Sequence, residues 1–273
     1  MRLGPLRALG VSARAIAMTL AVVVWLTPYL WMTLTSLRSG AEIAASATPI
    51  PKSLQLDAYK EVFATVPVAR SFANSLLMSL AIASLQVLLA LPAGYALAKT
   101  KFTGRRVAFG LVVACLLVPP QITFIPVFLM FGSAHLVNTM TALVVPFAVS
   151  ALGTFLVRQA LLSVPDEIIE AARLDGASEL RVIYLVLGPI LRPTLAAMFL
   201  FSFVYHYSDY FWPLVMTTDD SVRPLPLSIA LLRAKGTGTS WNVVMAGNVL
   251  LSLPVLAVFA AAQRQIVRAV SMR

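Results

Sequence analysis

The chain contains 51 consecutive residues, from Val107 to Val157, without a single lysine, arginine, aspartate or glutamate. As one helix this stretch would be about 75 Å long, whereas the hydrocarbon core of a bilayer is about 30 Å thick. It must therefore fold back, and the prolines Pro119 and Pro120 with the polar segment from Gly132 to Thr139 mark the turn. We predict one span near residues 107–118, a connecting helix, and another span from about 138 to 157.

Four further apolar runs also indicate membrane spans. They extend from Ala15 to Leu37, from Phe72 to Ala98, from Pro189 to Met216 and from Trp241 to Ala262. The chain has 59% hydrophobic and only 12% charged residues, and its mean hydropathy of +0.87 excludes a soluble globular protein. We therefore predict an all-α polytopic membrane protein with six transmembrane helices and an interfacial helix near residues 124–131.

The first apolar run has two interpretations. It follows three arginines and precedes Ala45-Ser46-Ala47, which is similar to a signal-peptide cleavage site. The run is about 22 residues long, however, whereas the apolar core of a signal peptide has roughly 7 to 15. We expect an uncleaved first helix, with the signal peptide as the alternative.

The net charge of +10 is spread over the predicted loops and termini. Six spans place both termini on one side of the membrane, and that side collects 14 of the 21 lysines and arginines. The positive-inside rule makes this side cytoplasmic. Residues 38–71 are then an external loop carrying a short helix, and the basic balance indicates a membrane orientation and no nucleic acid partner.

The segment from Ser163 to Pro193 is the longest patterned stretch that cannot lie in lipid. It holds five of the eleven carboxylates, namely Asp166, Glu167, Glu170, Asp175 and Glu179. Its first half predicts an amphipathic helix with Ser163 as N-cap and a Glu170–Arg173 ion pair on the polar face. The predicted apolar face consists of Pro165, Ile168, Ile169 and Ala172.

Asp175-Gly176 is predicted to end this helix, because glycine readily adopts the left-handed conformation found after helix ends. Ser178 then begins a second helix that runs into Gly188-Pro189. Three small side chains around the turn leave room for another backbone to approach: Ala171, Ala172 and Ala177. The pattern alone leaves open whether this segment is a docking surface or an ordinary helical hairpin loop.

One motif in this segment resembles a known family signature. The motif is Glu170-Ala171-Ala172-x-x-Asp175-Gly176-Ala177-Ser178, followed by Pro189 and Pro193, and it resembles the EAA loop of permeases of bacterial ATP-binding-cassette (ABC) importers. Two further pieces are similar to the carbohydrate, maltose-type branch. They are Leu136-Val-Asn138-Thr139, and Phe211-Trp212-Pro213-Leu214 with Trp241 and Gln263-Arg264.

The resemblance implies one permease domain over residues 1–273, with the fold of a type I importer, in the bacterial inner membrane. Residues 163–188, hereafter the acidic loop, would be the cytoplasmic coupling loop that binds a separate ATPase dimer. It further implies a second, different six-span permease that holds most of the sugar contacts, and an external solute-binding protein. The chain would be a transport subunit and no enzyme, with ATP and magnesium bound by the ATPase.

A nucleotide-binding loop is not evident in the sequence. The nearest stretch to G-x-x-x-x-G-K-[ST] begins at Gly94 and ends at Lys99-Thr100, and it lacks the second glycine. The energy for transport must therefore come from a partner.

Polar side chains within spans are candidates for a substrate path, because lipid-facing positions do not tolerate them. The fifth span supplies the main cluster, Tyr205, His206, Ser208 and Asp209, whose aromatic faces and hydrogen-bonding groups suit a sugar. Gln86 and Asn248 are weaker candidates, since polar residues often only hold helices together. Tyr210 and Trp212 are expected to lie in an interfacial belt instead.

Histidine and cysteine show no pattern typical of catalysis. Neither His135 nor His206 has the spacing of a metal site or of a nucleophile–base pair. Cys115 lies in an apolar run, where we expect a small core residue, and a single cysteine excludes an intrachain disulfide.

Several positions depart from the family pattern. Tyr207-Ser208 stands where related carbohydrate permeases have Trp-Asn, Ile183 replaces an aromatic residue, and Gly188 replaces a bulky one. Ala269 replaces a glycine, and the tail to Arg273 has no glycine-rich basic extension for an ATPase contact.

Three other functions are possible on the sequence. One is an ABC permease for a non-carbohydrate solute. An ion-coupled secondary transporter would need a charged relay within its spans, for which only Asp209 and His206 qualify. An intramembrane enzyme would need a catalytic pair at one depth, and the sequence shows none.

Overall fold

The computed structural model describes residues 4–46, 48, 50–235 and 240–271, with side chains described for 15–46, 48, 50–120, 122–232 and 240–260. Within these ranges every regular element is helical. The helices of the first half are α1 (Gly4–Ser36), α2 (Gly40–Ala45), α3 (Asp57–Thr65), α4 (Val68–Lys99), α5 (Arg105–Leu116), α6 (Pro120–Ser133) and α7 (Met140–Val144). Those of the second half are α8 (Ala151–Leu162), α9 (Asp166–Leu174), α10 (Glu179–Arg181), α11 (Gly188–Ile190), α12 (Arg192–Tyr207), α13 (Phe211–Met216), α14 (Leu225–Lys235) and α15 (Trp241–Ser271).

Two short irregular helices interrupt this order. A 3₁₀ turn, Val145–Phe147, follows α7, and a π-helix, Val182–Leu187, joins α10 to α11. Backbone contacts divide the chain into two units, one of Met1–Pro67 with Ile229–Leu253 and the other of Val68–Ser228 with Pro254–Arg273.

The predicted number of spans is not confirmed by helix length. In the described ranges four helices are long and apolar enough to cross a membrane: Ala15–Ser36, Val68–Lys99, Met140–Leu162 and Trp241–Ala260. A fifth span is formed if Glu179–Ile190 and Arg192–Tyr207, which meet at 85°, count as one. The predicted third span corresponds to α5, whose 12 residues extend only about 18 Å.

The predicted span from Pro189 to Met216 is divided in the structure. The chain bends at Leu191, and α12 begins with Pro193 in its first turn, where a missing backbone donor costs nothing. Residues 208–210 then separate α12 from α13. The helix expected near residues 124–131 is present as α6.

The first unit is organised around a buried arginine. Arg38 is 3% exposed, and its Nη2 donates to the carbonyl oxygens of Glu42 at 2.7 Å and Ser46 at 2.8 Å. Asn242 Nδ2 donates to Arg38 O at 3.1 Å, and so connects α15 to the segment after α1. The predicted external loop thus contains two short helices, α2 and α3, while its side of the membrane stays a prediction.

The second unit is built along α4, which contacts α8 and α12. A hydrophobic cluster near the C-terminal half of α4 includes Leu91, Tyr95, Val157 and Leu161. Another cluster near its N-terminal half includes Met78, Ile82, Leu143 and Trp212. Because Trp212 is only 7% exposed, it is a core residue, and its expected place in an interfacial belt is wrong.

Gly94 lies at a close approach of α4 and α8. A Cβ atom at this position would be 2.6 Å from Val157 Cγ1 and 3.0 Å from the backbone nitrogen of Arg158. The glycine noted as part of an incomplete nucleotide motif therefore has a packing role inside α4.

We expect Gly94→Ala to lower the free energy of unfolding by about 1 to 3 kcal/mol, because the added methyl group must displace the backbone of α8. Gly110→Ala is the matched control, since nothing lies within 4 Å of a Cβ atom there. Thermal unfolding of both variants in the same detergent tests this expectation. Equal melting temperatures would contradict the close approach.

Candidate coupling loop and translocation cavity

The acidic loop ends its first helix as the sequence predicts. Gly176 has a φ of 80°, in the left-handed region. Its N–H donates to Arg173 O and the N–H of Ala177 donates to Ala172 O, both at 3.0 Å. These two bonds form a Schellman motif, which satisfies the last carbonyl groups of α9 and turns the chain sharply.

The start of the same helix differs from the prediction. Ser163 is not its N-cap, because the Ser163 hydroxyl donates back to Ala160 O at 2.8 Å and closes α8. Pro165 occupies the N-cap position of α9 without a side-chain cap. Asp166 and Glu167 in the first turn place negative charge at the positive end of the helix instead.

The acidic loop turns one narrow face inward. Ile169 is only 3% exposed and Ala172 is half-buried, as predicted for the apolar face, whereas Pro165 and Ile168 are exposed. Leu174, at the tip, is 89% exposed. The residues of the family-like motif lie around this tip: Glu170, Ala171, Asp175, Gly176 and Ser178 are exposed, and Ala172 and Ala177 are half-buried.

The acidic loop is bound to α4 by a three-residue cluster. Tyr95 Oη donates to Glu179 Oε2 at 2.7 Å, Arg173 Nε donates to Glu179 Oε1 at 2.8 Å, and Arg173 Nη2 donates to Tyr95 Oη at 3.0 Å. The predicted Glu170–Arg173 pair is therefore replaced by an Arg173–Glu179 pair. Because Arg173 is in α9 and Glu179 in α10, the pair closes the turn between them, and Tyr95 fixes that turn to α4.

A second contact binds the beginning of the acidic loop to the end of α4. Lys99 Nζ donates to Val164 O at 2.5 Å and to Asp166 Oδ1 at 2.6 Å. The hydrogen bond from Lys99, assisted by its charge, lowers the pKa of Asp166 below its usual value. Since the pKa is lowered, this ion pair stabilises the fold above the normal pKa of aspartate and is lost only as pH falls through the lowered value.

Three of the predicted path residues lie together in one cavity of the second unit, hereafter the main cavity. It has a volume of about 550 Å³, and Gln86, Tyr205 and His206 line it. Gln86 Nε2 donates to Phe147 O at 2.8 Å, and the Phe147 ring lies 4.8 Å from the His206 ring. A pocket of this size is ordinary for small-molecule sites.

Asp209 lines a neighbouring, smaller cavity of about 240 Å³, which also includes Tyr205. Its Oδ1 accepts hydrogen bonds from the backbone N–H groups of Phe211 at 3.0 Å and Trp212 at 3.4 Å. The carboxylate therefore has a structural function at the start of α13, in addition to its position in the cavity.

The remaining path candidates lie elsewhere. Ser208 is exposed at the end of α12 and lines neither cavity, and Asn248 is half-buried in α15, in the first unit. Sequence reasoning also missed most of the lining of the main cavity, including Cys115 and Ser202. Cys115 is exposed at its wall, contrary to the expected core position, and Ser202 lies one helical turn before His206.

The segment with Asn138 organises the other end of the second unit. Asn138 has a φ of 62°, and its Nδ2 donates to Asp219 Oδ2 at 2.8 Å. Its Oδ1 accepts from the backbone N–H of Thr218 at 3.0 Å, and its own N–H donates to Met216 O at 2.8 Å. This residue of the family-like segment thus fixes the loop after α13. The side chains of Gln263 and Arg264, and residues 272–273 of the tail, lie outside the described residues.

A chain with several helices apolar and long enough to cross a membrane, an exposed, anchored loop and a cavity between helices has the features of a membrane transport subunit. Residues 90–272 match the family described as "binding-protein-dependent transport system inner membrane component". The chain belongs to this family.

The chain is similar to several transport permeases. It is 32% identical to the arabinooligosaccharides transport system permease protein AraQ of Halalkalibacterium halodurans, over 87% of this chain and 86% of that one. It is 30% identical to the lactose transport system permease protein LacG of Rhizobium radiobacter, over 92% and 91%. It is 32% identical to the sn-glycerol-3-phosphate transport system permease protein UgpE of Yersinia enterocolitica, over 75% and 73%.

The fold is also similar to a solved structure. A chain of the bacterial ABC transporter involved in the import of the acidic polysaccharide alginate aligns with a TM-score of 0.82, over 97% of this chain and 99% of that one, at 23% identity. The fold is therefore that of an ABC importer permease.

We expect Tyr95→Phe to loosen the acidic loop, because it removes both hydrogen bonds of the Tyr95 hydroxyl. Amide hydrogen exchange over residues 166–178 should become roughly fivefold faster, corresponding to about 1 kcal/mol. Tyr184→Phe is the control, since it removes a hydroxyl that donates to Leu88 O in α4 and contacts neither Arg173 nor Glu179. Equal exchange in the two variants would contradict the role of Tyr95.

Proposed function

We propose that the chain is one permease of an ATP-driven importer for a sugar or sugar derivative, with half of the translocation path in its spans. A separate ATPase dimer, which binds ATP and magnesium, docks on the exposed tip of the acidic loop and drives the change of access. The proposal rests chiefly on one observation, namely that the acidic loop, which carries the exposed tip, is anchored to α4 by Tyr95 and Lys99.

The shape of the tip supports docking. Glu170, Asp175 and Ser178 are exposed and polar, while the alanines between them leave the backbone accessible. Leu174 supplies an exposed apolar side chain at the centre of the tip. The cores of protein interfaces are usually apolar in this way. A partner with a matching cleft would bury this leucine and pair with the carboxylates.

The orientation follows from charge. With the six spans that the sequence predicts, the side that contains the acidic loop and both termini also contains most lysines and arginines, and the positive-inside rule favours a cytoplasmic position for it. ATP is then available on the side of the acidic loop. The opposite side would receive the solute from an external binding protein, and a second, different permease would complete the path.

The cavity chemistry favours a neutral, hydroxylated solute. Among the described residues that line the main cavity there is no lysine, arginine, aspartate or glutamate. Relatives are named for arabinooligosaccharides, lactose and sn-glycerol 3-phosphate, and a phosphate ester calls for cationic or multiple N–H donors. A sugar therefore fits this cavity better than a glycerol phosphate does.

An ion-coupled transporter is not favoured. Such a mechanism needs a carboxylate free to bind and release a proton or cation. Asp209 accepts two backbone hydrogen bonds instead, and His206 contacts aromatic rings.

We expect Glu170→Lys to reduce import about tenfold or more in the reconstituted assembly, because the reversed charge would repel a partner that pairs with the acid. ATP hydrolysis by the complex should lose its stimulation by solute and binding protein. Glu167→Lys is the matched control, since Glu167 lies in the same helix outside the motif. Equal import in both variants would contradict docking at Glu170.

Gly176 offers a second test of the same docking surface. Gly176→Val forces a β-branched side chain into a left-handed conformation, although the space around it is open. Gly176→Asn should preserve the turn, because asparagine tolerates this conformation. We expect the valine variant to hydrolyse ATP with import reduced about tenfold, and the asparagine variant to retain most import. Loss of membrane insertion, measured by yield, would show a folding effect instead.

The solute class is tested by import into proteoliposomes that contain both permeases, the ATPase dimer and the binding protein. Labelled lactose, arabinotriose, an alginate oligosaccharide and sn-glycerol 3-phosphate are compared. We expect ATP-dependent uptake of at least one sugar in preference to the phosphate ester. Uptake of the phosphate ester alone would overturn the carbohydrate assignment.

A further inference from the structure

The main cavity contains a buried polar group that the protein itself leaves unpaired. Ser202 is 8% exposed, and its hydroxyl has no hydrogen-bond partner, although helical serines commonly donate to the carbonyl four residues earlier. A buried hydroxyl without a hydrogen-bond partner lowers the stability of the folded protein, and native structures usually avoid it. Ser202 lies in the wall of a 550 Å³ cavity, and although its oxygen atom is covered in the present rotamer, rotation of the side chain would let a ligand there complete the bond.

His206 stands one helical turn beyond Ser202, on the same face of α12. It is 5% exposed, and its ring lies 4.8 Å from the Phe147 ring and 5.0 Å from the Tyr205 ring. Its imidazole makes no side-chain hydrogen bond with a described residue. The imidazole therefore adds a donor and an acceptor beside the unpaired hydroxyl.

Gln86 reaches the same cavity from α4. Its amide nitrogen is held by Phe147 O at 2.8 Å, which fixes the side chain, while its amide oxygen has no partner among the described residues. The result is a set of three neutral polar groups on two helices, bordered by the aromatic faces of Phe147 and Tyr205.

We propose that Ser202, His206 and Gln86 form a hydroxyl-binding subsite for a neutral sugar within this chain's own half of the path. Neutral donors and acceptors match sugar hydroxyl groups, and the aromatic rings match the apolar faces of a pyranose or furanose ring. The inference rests on the proposed function and deepens it. It departs from the expectation that the other permease holds most of the sugar contacts.

Cys115 provides a direct probe, because it is the chain's single cysteine, is exposed and lines the same cavity. The complete assembly, without binding protein, is placed in nanodiscs with the neutral sugar that the import assay selects from lactose and arabinotriose. The rate at which N-ethylmaleimide modifies the Cys115 peptide is followed by mass spectrometry. We expect saturating sugar to slow this reaction at least threefold.

Variants separate the subsite from general effects. Ser202→Ala removes an unpaired hydroxyl and so breaks no bond in the protein. It should raise the sugar concentration that half-protects Cys115 roughly 2- to 10-fold. Thr194→Ala, on the same helix and outside the cavity lining, should leave it unchanged. Leu111→Cys in a Cys115→Ala background places the thiol one turn away on α5, outside the lining, where sugar should give no protection.

The outcomes are distinct. Import of a sugar with an unprotected Cys115, or with equal half-protection in wild type and Ser202→Ala, overturns the subsite while the proposed function stands. Absence of import for every sugar by an intact assembly overturns the carbohydrate assignment and the subsite together. Protection that weakens only in Ser202→Ala supports the subsite.

Discussion

The second unit depends on polar contacts at both ends of α4. Near its start, Asn74 Nδ2 donates to the carbonyl oxygens of Ser221 and Arg223, and Ser75 Oγ accepts from the N–H of Leu225. Near its end, Tyr95 and Lys99 hold the acidic loop. The 21 residue-to-residue steps from Asn74 to Tyr95 correspond to about 31 Å of helix, close to the hydrocarbon thickness of a bilayer. A helix with polar contacts near both of its ends and apolar packing between them suits a lipid bilayer.

One helix, α4, connects the two candidate sites, with Pro92 inside it between Gln86 and Tyr95. Gln86 lies on α4 between the two polar ends and reaches the main cavity, so a shift of the acidic loop that moves Tyr95 also moves Gln86. Gly94 lets α4 pack tightly against α8, because there is no room for a Cβ atom between this glycine and Val157. The proposed coupling would use the hydrogen bonds of Tyr95 to Glu179 and Arg173, because they connect the acidic loop directly to α4.

Local signals in the sequence predicted local structure correctly. The helix end at Gly176 was predictable, because the left-handed preference of glycine acts within a few residues. The prediction for Ser163 is wrong. Its hydroxyl could have capped the start of α9, but it donates to a carbonyl at the end of α8 instead. Arg173 pairs with Glu179 because the sharp turn returns the chain, an effect that helical spacing cannot foresee. The exposure of Cys115 and the burial of Trp212 depend on tertiary packing, as does the convergence of Gln86 with His206.

The positions of the three contacts along α4 set a mechanical ratio. If the Asn74 end acts as the fulcrum, Gln86 lies about 18 Å and Tyr95 about 31 Å along the lever arm. A sideways swing of the acidic loop then reaches the cavity reduced to a little over half its amplitude, with the force correspondingly magnified. Under the proposed coupling function, a broad movement of the acidic loop would become a smaller movement at the main cavity.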